Sequence, residues 1–185
     1  MPSKGQIIED KFTKNVYEFV ETAEDTKGEF VKFKMTLKDK GKIAPAHIHI
    51  LQDEIFEVVS GKMTYFLNGE EHVVQAGESV TLPKNIPHNH YNNHDEPLVM
   101  YQTVKPAYDI DYFVENLVGL ANDGKVKNGD MGLLQALVTV KYLDSPSLLA
   151  DIPTGIQKVL ANVIAPIARM FGYRALYKRY TGLDK

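Results

Sequence analysis

The sequence predicts a mainly β protein, an antiparallel sandwich or small barrel, followed by an α-helical extension. Three observations predict it. Apolar residues alternate with period two over several short runs before Pro106. Glycines and prolines punctuate those runs at Gly41, Gly61, Gly69, Gly77, Pro83 and Pro87. After Pro106 the apolar period becomes helical.

The elements follow in order. Val31, Phe33, Met35 and Leu37 alternate with Lys32, Lys34, Thr36 and Lys38, a half-buried strand with a wet, basic face. Met63, Tyr65 and Leu67 alternate with Thr64, Phe66 and Asn68. Asn68-Gly69 is then a two-residue hairpin signal, and Glu71 to Val74 is the returning strand. Val80–Leu82 and Leu98–Val104 are further short strands. Beyond Pro106, Tyr112, Phe113, Leu117 and Leu120 share one helical face, with Asp109 and Asp111 in the first turn. Leu133, Leu134, Leu137, Val138 and Lys141 form a second helical run. Pro153-Thr154-Gly155 opens a third, from Ile156 to about Tyr173, which Pro166 is expected to kink or break. The expected division is residues 1–108 for the β unit and 109–185 for the helical extension.

Composition removes several function classes. The 185 residues are 44% hydrophobic and 24% charged, an ordinary globular balance. The net charge of −3 offers no basic excess for nucleic acid. Without cysteine there is no disulfide, thiolate metal site or cysteine nucleophile. Met1 to Asp10 lacks the apolar core of a secretory signal. The longest apolar stretch, Val159 to Ala168, is interrupted by Asn162 and Pro166 and is too short to span a bilayer. A cytoplasmic location is the expectation.

All six histidines lie between positions 47 and 94. His47 and His49, at i and i+2 on a strand, leave the same face and can grip one ion. Glu54 follows five residues later, and His88 comes from a later strand. Three imidazoles and a carboxylate suit one divalent transition metal: Fe, Mn, Co, Ni, Cu or Zn. They do not suit calcium or magnesium, which take oxygen shells.

Gly41-(x5)-His47-x-His49-(x4)-Glu54-(x6)-Gly61 resembles the first cupin motif at every fixed position. Gly77-(x5)-Pro83-x-Asn85-(x2)-His88-(x3)-Asn92 resembles the second, with Asn85 in place of a glycine. Asn is the next most tolerant residue of positive φ. The resemblance implies a jelly-roll antiparallel β-barrel with a metal inside, towards one mouth. It implies His47, His49, Glu54 and His88 as the ligands. Gly132 to Leu137 and Ile156 to Tyr173 resemble the helical extension of a group of bacterial cupin-domain proteins. That match concerns architecture and leaves the reaction open.

Other residues are weighed beside these. Glu57 is a rival carboxylate with the wrong parity and spacing. His90, two residues after His88, is a candidate substrate contact or supporting base near the metal, and an ordinary cavity residue is the plainer reading. His72 and His94 read as surface residues. Phe33, Met35, Met63, Tyr65, Tyr91, Met100 and Tyr101 divide between core and pocket in a way that parity alone does not settle. In the third helical run, Val159, Ile164, Ile167, Met170 and Phe171 lie among Arg169, Arg174, Lys178 and Arg179, as in an interfacial amphipathic helix. Packing on the barrel or in a dimer contact is the preferred expectation over a membrane surface. A lid over the barrel mouth is a further use.

Two function classes compete. In a metalloenzyme, four ligands leave one or two coordination positions for dioxygen or a bidentate oxygenated substrate, and Glu54 can detach to act as a base. Dioxygenase-type chemistry on a phenolic, diketone-like or thiol substrate leads, with Lewis-acid isomerase, cyclase or lyase chemistry as the alternative. In a binding module, the barrel captures a small molecule and the tail contacts a partner or membrane. A storage role is disfavoured, since one motif pair implies one barrel. A homodimer is expected. An open metal position beside a substrate-sized cavity is what separates the first class from the second.

Overall fold

The computed structural model describes residues 1–41, 45–127 and 130–185. The strands are β1 (Ile7–Glu9), β2 (Val16–Glu21), β3 (Val31–Leu37), β4 (His47–His49), β5 (Asp53–Ser60), β6 (Lys62–Leu67), β7 (Glu70–Gln75), β8 (Ser79–Leu82), β9 (His88–Tyr91) and β10 (Leu98–Lys105). After them come α1 (Ile110–Asn122), α2 (Leu133–Tyr142), β11 (Ser147–Leu149), α3 (Thr154–Met170) and α4 (Lys178–Thr181). One sheet has the order β1-β2-β3-β10-β5-β8, the other β11-β4-β9-β6-β7. Every pairing between them is antiparallel. This is the jelly-roll barrel with a helical extension that the sequence leads one to expect.

The alternation of β3 is realised residue by residue: Val31, Phe33, Met35 and Leu37 are buried and the lysines between them are not. They pack with Phe19, Phe56, Met63, Leu98 and Met100 into one core. Removing each such side chain from water contributes roughly 1.5–3 kcal/mol. Asn68 (φ 52°) and Gly69 (φ 86°) both take positive φ, the pair a type I′ turn requires, and Leu67 faces Glu70 across it. Gly61 has φ +79°, and a Cβ there would stand 2.5 Å from the Pro97 carbonyl oxygen, so no side chain fits.

The extension is tied to the barrel by a strand and by buried polar contacts. β11 pairs with β4, placing Ser147 opposite His49 and Leu149 opposite His47. No strand is expected there from sequence, because three residues carry no periodicity. Asp109 does stand at the start of α1, but its carboxylate makes no cap. It is buried and accepts instead from the Asp144 and Ser145 backbone N–H groups (2.9 and 3.2 Å), the Ser145 hydroxyl and Lys185.

α2 and α3 pack together over Val138, Leu143, Ala165, Ala168 and Leu176. Of the kink or break expected at Pro166, the break does not occur: the helix runs through it to Met170. Pro166 lies on the exposed face, where the Asn162 carbonyl that loses its N–H donor is open to water. Among the described residues, no helix is long and apolar enough to cross a membrane.

Candidate metal centre

The two sheets contribute different chemistry to one point. His47 and His49 come from β4 and His88 from β9, where His47 and His88 are directly paired. Glu54 comes from β5 in the opposite sheet. One ligand atom from each of the four lies within 4.8 Å of the others. Glu54 is 3.3 Å from His49 Nε2 through Oε1 and 3.2 Å from His88 Nε2 through Oε2. The ring centroids are 4.8 to 5.5 Å apart.

Backbone carbonyls orient two of the imidazoles. His88 Nδ1 is 2.8 Å from the Ile86 carbonyl oxygen and His47 Nδ1 is 3.2 Å from that of Pro45. A carbonyl only accepts, so Nδ1 must carry the proton, and in the neutral ring Nε2 is bare. Gln102 donates to Glu54 Oε1 at 2.8 Å and holds the carboxylate towards the rings. The turn after β8 also serves the site: Asn85 takes φ 66°, as expected of the residue replacing glycine, and its N–H donates to the His49 carbonyl at 2.8 Å.

Glu54 Oε2 and His88 Nε2 are buried and neither has a hydrogen-bond partner. In the neutral ring with Nδ1 protonated, the atoms facing each other at 3.2 Å are both acceptors. An unsatisfied buried acceptor costs about 1–3 kcal/mol, and a cation among the four satisfies them together. The donor set therefore fits a divalent transition ion. Burial, with the neighbouring imidazoles, pushes the His47 pKa down to about 3 and keeps that ring neutral. Burial opposes the charged forms of His49 and Glu54, but their mutual attraction outweighs it. His49 rises above the ordinary histidine value and Glu54 falls well below the carboxylate range.

A cavity of about 770 Å³ opens at the cluster, with His47, His49, Glu54, His90 and Gln102 in its wall. Further out the wall is apolar: Phe33 and Met35 of β3, Ile110, Phe113 and Leu117 of α1, and Leu148 of β11. The helical extension thus covers the barrel mouth, but through α1, α2 and β11. The lid expected of the third helical run is not formed by it, since only Gln157 of α3 reaches the wall. Among the described residues of the wall the one lysine or arginine is Lys40, exposed and adjacent in the chain to Asp39, and Asp10 and Asp130 line the same cavity.

The remaining candidates separate cleanly. His90 is half-buried at the site, its ring 4.4 Å from Phe56 and its buried Nδ1 without a partner. Burial pushes its pKa down to about 4. Glu57 lies outside and pairs with Lys32 at 2.8 Å. His72 is half-exposed and stacks on Tyr65, and His94 lies 3.4 Å from Thr64. Phe33, Met35 and Tyr91 line the cavity, whereas Met63 and Met100 belong to the core. Gln102 is a site residue that the sequence reading missed. Its signal was available: it is the polar member of the inward series Leu98, Met100, Gln102, Val104.

Residues 33–104 match the model of the family described as Cupin domain. No curated protein matches the chain. Among solved structures, KdgF from Halomonas sp. is similar at 17% identity and TM-score 0.47, over 57% of this chain and 91% of that one. An RmlC-like cupin from Shewanella frigidimarina is similar at 22% identity and TM-score 0.46, over 56% and 85%. A sugar phosphate isomerase of the cupin superfamily from Silicibacter pomeroyi is similar at 19% identity and TM-score 0.43, over 49% and 59%.

Proposed function

We propose, from the premise that this chain is a cupin with a C-terminal helical region, that it is a metal-dependent enzyme acting on a small, uncharged and largely apolar molecule. The observation that carries the reading is the position of the four-residue cluster at the inner end of an apolar cavity. His47, His49 and Glu54 all form part of that cavity's wall, so a molecule held in it would lie against the cluster. A saturated, closed shell would have favoured a binding module instead.

His47, His49, Glu54 and His88 would hold the metal, which supplies Lewis-acid or redox chemistry at the end of the cavity. The chain's own groups do the rest. Pro45 and Ile86 carbonyls fix the ring tautomers. Gln102 orients Glu54, which can accept a proton from substrate when one of its oxygens is free. His90 lies in the same wall and would offer its ring to a polar substrate atom. α1, α2 and β11 wall the outer part of the cavity and would limit the access of water to it.

The wall supports the substrate class. Phosphate recognition ordinarily uses Arg, Lys or a cluster of N–H donors, and the described wall offers Lys40 alone, beside an acid. A phenolic or diketone-like molecule matches better: two oxygens for the metal end and an apolar body for Phe33, Phe113 and Leu117. Dioxygenase-type chemistry is the leading reaction for such a substrate. The test is oxygen uptake by iron-, manganese-, nickel- and copper-loaded protein with catechol and β-diketone probes, against the His49→Ala/His88→Ala variant. Uptake by the parent alone supports the reading. Uptake by neither, with a probe bound, moves the protein to the binding class. A protein that retains zinc and transforms a probe without oxygen is a Lewis-acid enzyme.

A further inference from the structure

We propose that the molecule taken into the cavity carries an alkyl chain, laid between α1 and β3 with its polar end at the four-residue cluster. This names the substrate class more closely and rests on the functional reading above for the polar end. Size is the first observation. A single aromatic ring fills roughly 150 Å³, whereas the cavity measures about 770 Å³. A catechol or short diketone alone would leave most of that space as water against apolar walls, which is unfavourable. A chain attached to the polar end removes that water.

Shape is the second observation. Phe33, Met35 and Leu37 of β3 line the cavity in succession, about 13 Å from first to last at roughly 3.3 Å per residue. Ile110, Val114, Leu117, Val118 and Ala121 line it from one face of α1, a row about 16 Å long at roughly 1.5 Å per residue. Both rows start level with the cluster. Gln102, which donates to Glu54, is paired with Phe33. The first turn of α1 is held where Asp111 accepts from the Ala23 N–H at 3.0 Å, just past the Glu21–Lys32 pair of β2 and β3. Its last turn is held where Asn122 accepts from the Lys11 N–H at 2.7 Å and donates to the Glu9 carbonyl at 2.9 Å. Glu9 pairs with Val16, itself opposite Thr36 of β3. The two apolar rows therefore run side by side away from the cluster. No charged side chain interrupts either row, and Asp10, Asp39 and Lys40 follow only beyond their outer ends. A polar inner end and an elongated apolar body match a polar head with an alkyl chain better than a compact molecule.

The test is calorimetric titration of the full chain, metal-loaded and metal-free, with para-alkylphenols from methyl to octyl. Affinity is expected to rise about threefold to fourfold per added methylene in both forms, the gain from burying each one. Ala136 of α2 is half-buried in the same wall, opposite no ligand of the cluster. Ala136→Phe intrudes on the chain's space and should weaken octylphenol binding by about tenfold or more, while methylphenol changes by less than about twofold. Ala136→Leu is a smaller intrusion, should give an intermediate loss, and serves if the phenylalanine variant does not fold. Affinity that is flat along the series overturns the proposal. So does a rise undiminished in the folded Ala136 variants, which would place the chain elsewhere on the protein. A rise with chain length in a protein that consumes no oxygen supports the proposal and counts against the dioxygenase reading alone. Oxygen uptake with catechol, and no gain from the chain, does the reverse.

Discussion

Ser147 stands directly opposite His49 in the β11–β4 pair, its hydroxyl oxygen 3.4 Å from each of the two ring nitrogens. A segment nearly a hundred residues downstream in the chain thereby forms the edge of the sheet that carries all three clustered imidazoles. Leu148, the middle residue of that strand, is fully buried. Leu148→Ala is expected to cost about 2–4 kcal/mol in a urea titration and to lower metal retention, because β4 loses its packed neighbour. Truncation after about Ala107 is expected to reduce solubility by baring the face that Ile110 and Phe113 cover. A truncated chain as stable as the parent would make the extension a separate module.

Gln102 holds Glu54 without belonging to the ligand set. Gln102→Leu keeps the volume and removes the 2.8 Å hydrogen bond. Groups that orient a ligand typically change metal affinity by about 10–100-fold when removed. The variant should therefore bind metal more weakly by that factor in a competition titration with a chelator, while its melt stays close to the parent's.

His90 touches the cavity and not the cluster's facing atoms. His90→Phe is expected to retain full metal and to weaken probe binding or turnover, because the imidazole lies in the cavity wall beside the cluster. Loss of metal in this variant would place His90 among the ligands.

Pro166 interrupts the hydrogen-bond ladder of α3 at an exposed position. Proline within a helix is about 3 kcal/mol less favourable than alanine, and part of that is relieved where the freed carbonyl meets water. Pro166→Ala should raise stability by about 1–3 kcal/mol, read as a higher midpoint in denaturant.

What the sequence disclosed followed from periodicity. β3, β6, β7 and β10 were legible because their inward and outward residues alternate, and the Asn68-Gly69 turn because few residue pairs accept two positive φ values. The four clustered residues were legible because strand parity and motif spacing constrain them. β11 was not, since its existence depends on a partner a hundred residues away and not on its own three residues. The direction of α3 was hidden for a related reason. An amphipathic pattern locates an apolar face, but alanines at 161, 165 and 168 allow closer packing against α2, and they won the inward side. Asp109 and Asp111 were placed correctly at the start of α1, but that the Asp144–Ser145 backbone claims the Asp109 carboxylate was not legible, because it depends on a contact 35 residues away.

The measurement that tests the central claim most directly is metal content of the tag-free protein beside the His49→Ala/His88→Ala variant. Near-stoichiometric iron, manganese, nickel, copper, cobalt or zinc in the parent, and little in the variant with the barrel still folded, is the expected result. Equal metal in both, or none in a parent dialysed against each ion in turn, would contradict the assignment of His47, His49, Glu54 and His88 as a metal centre.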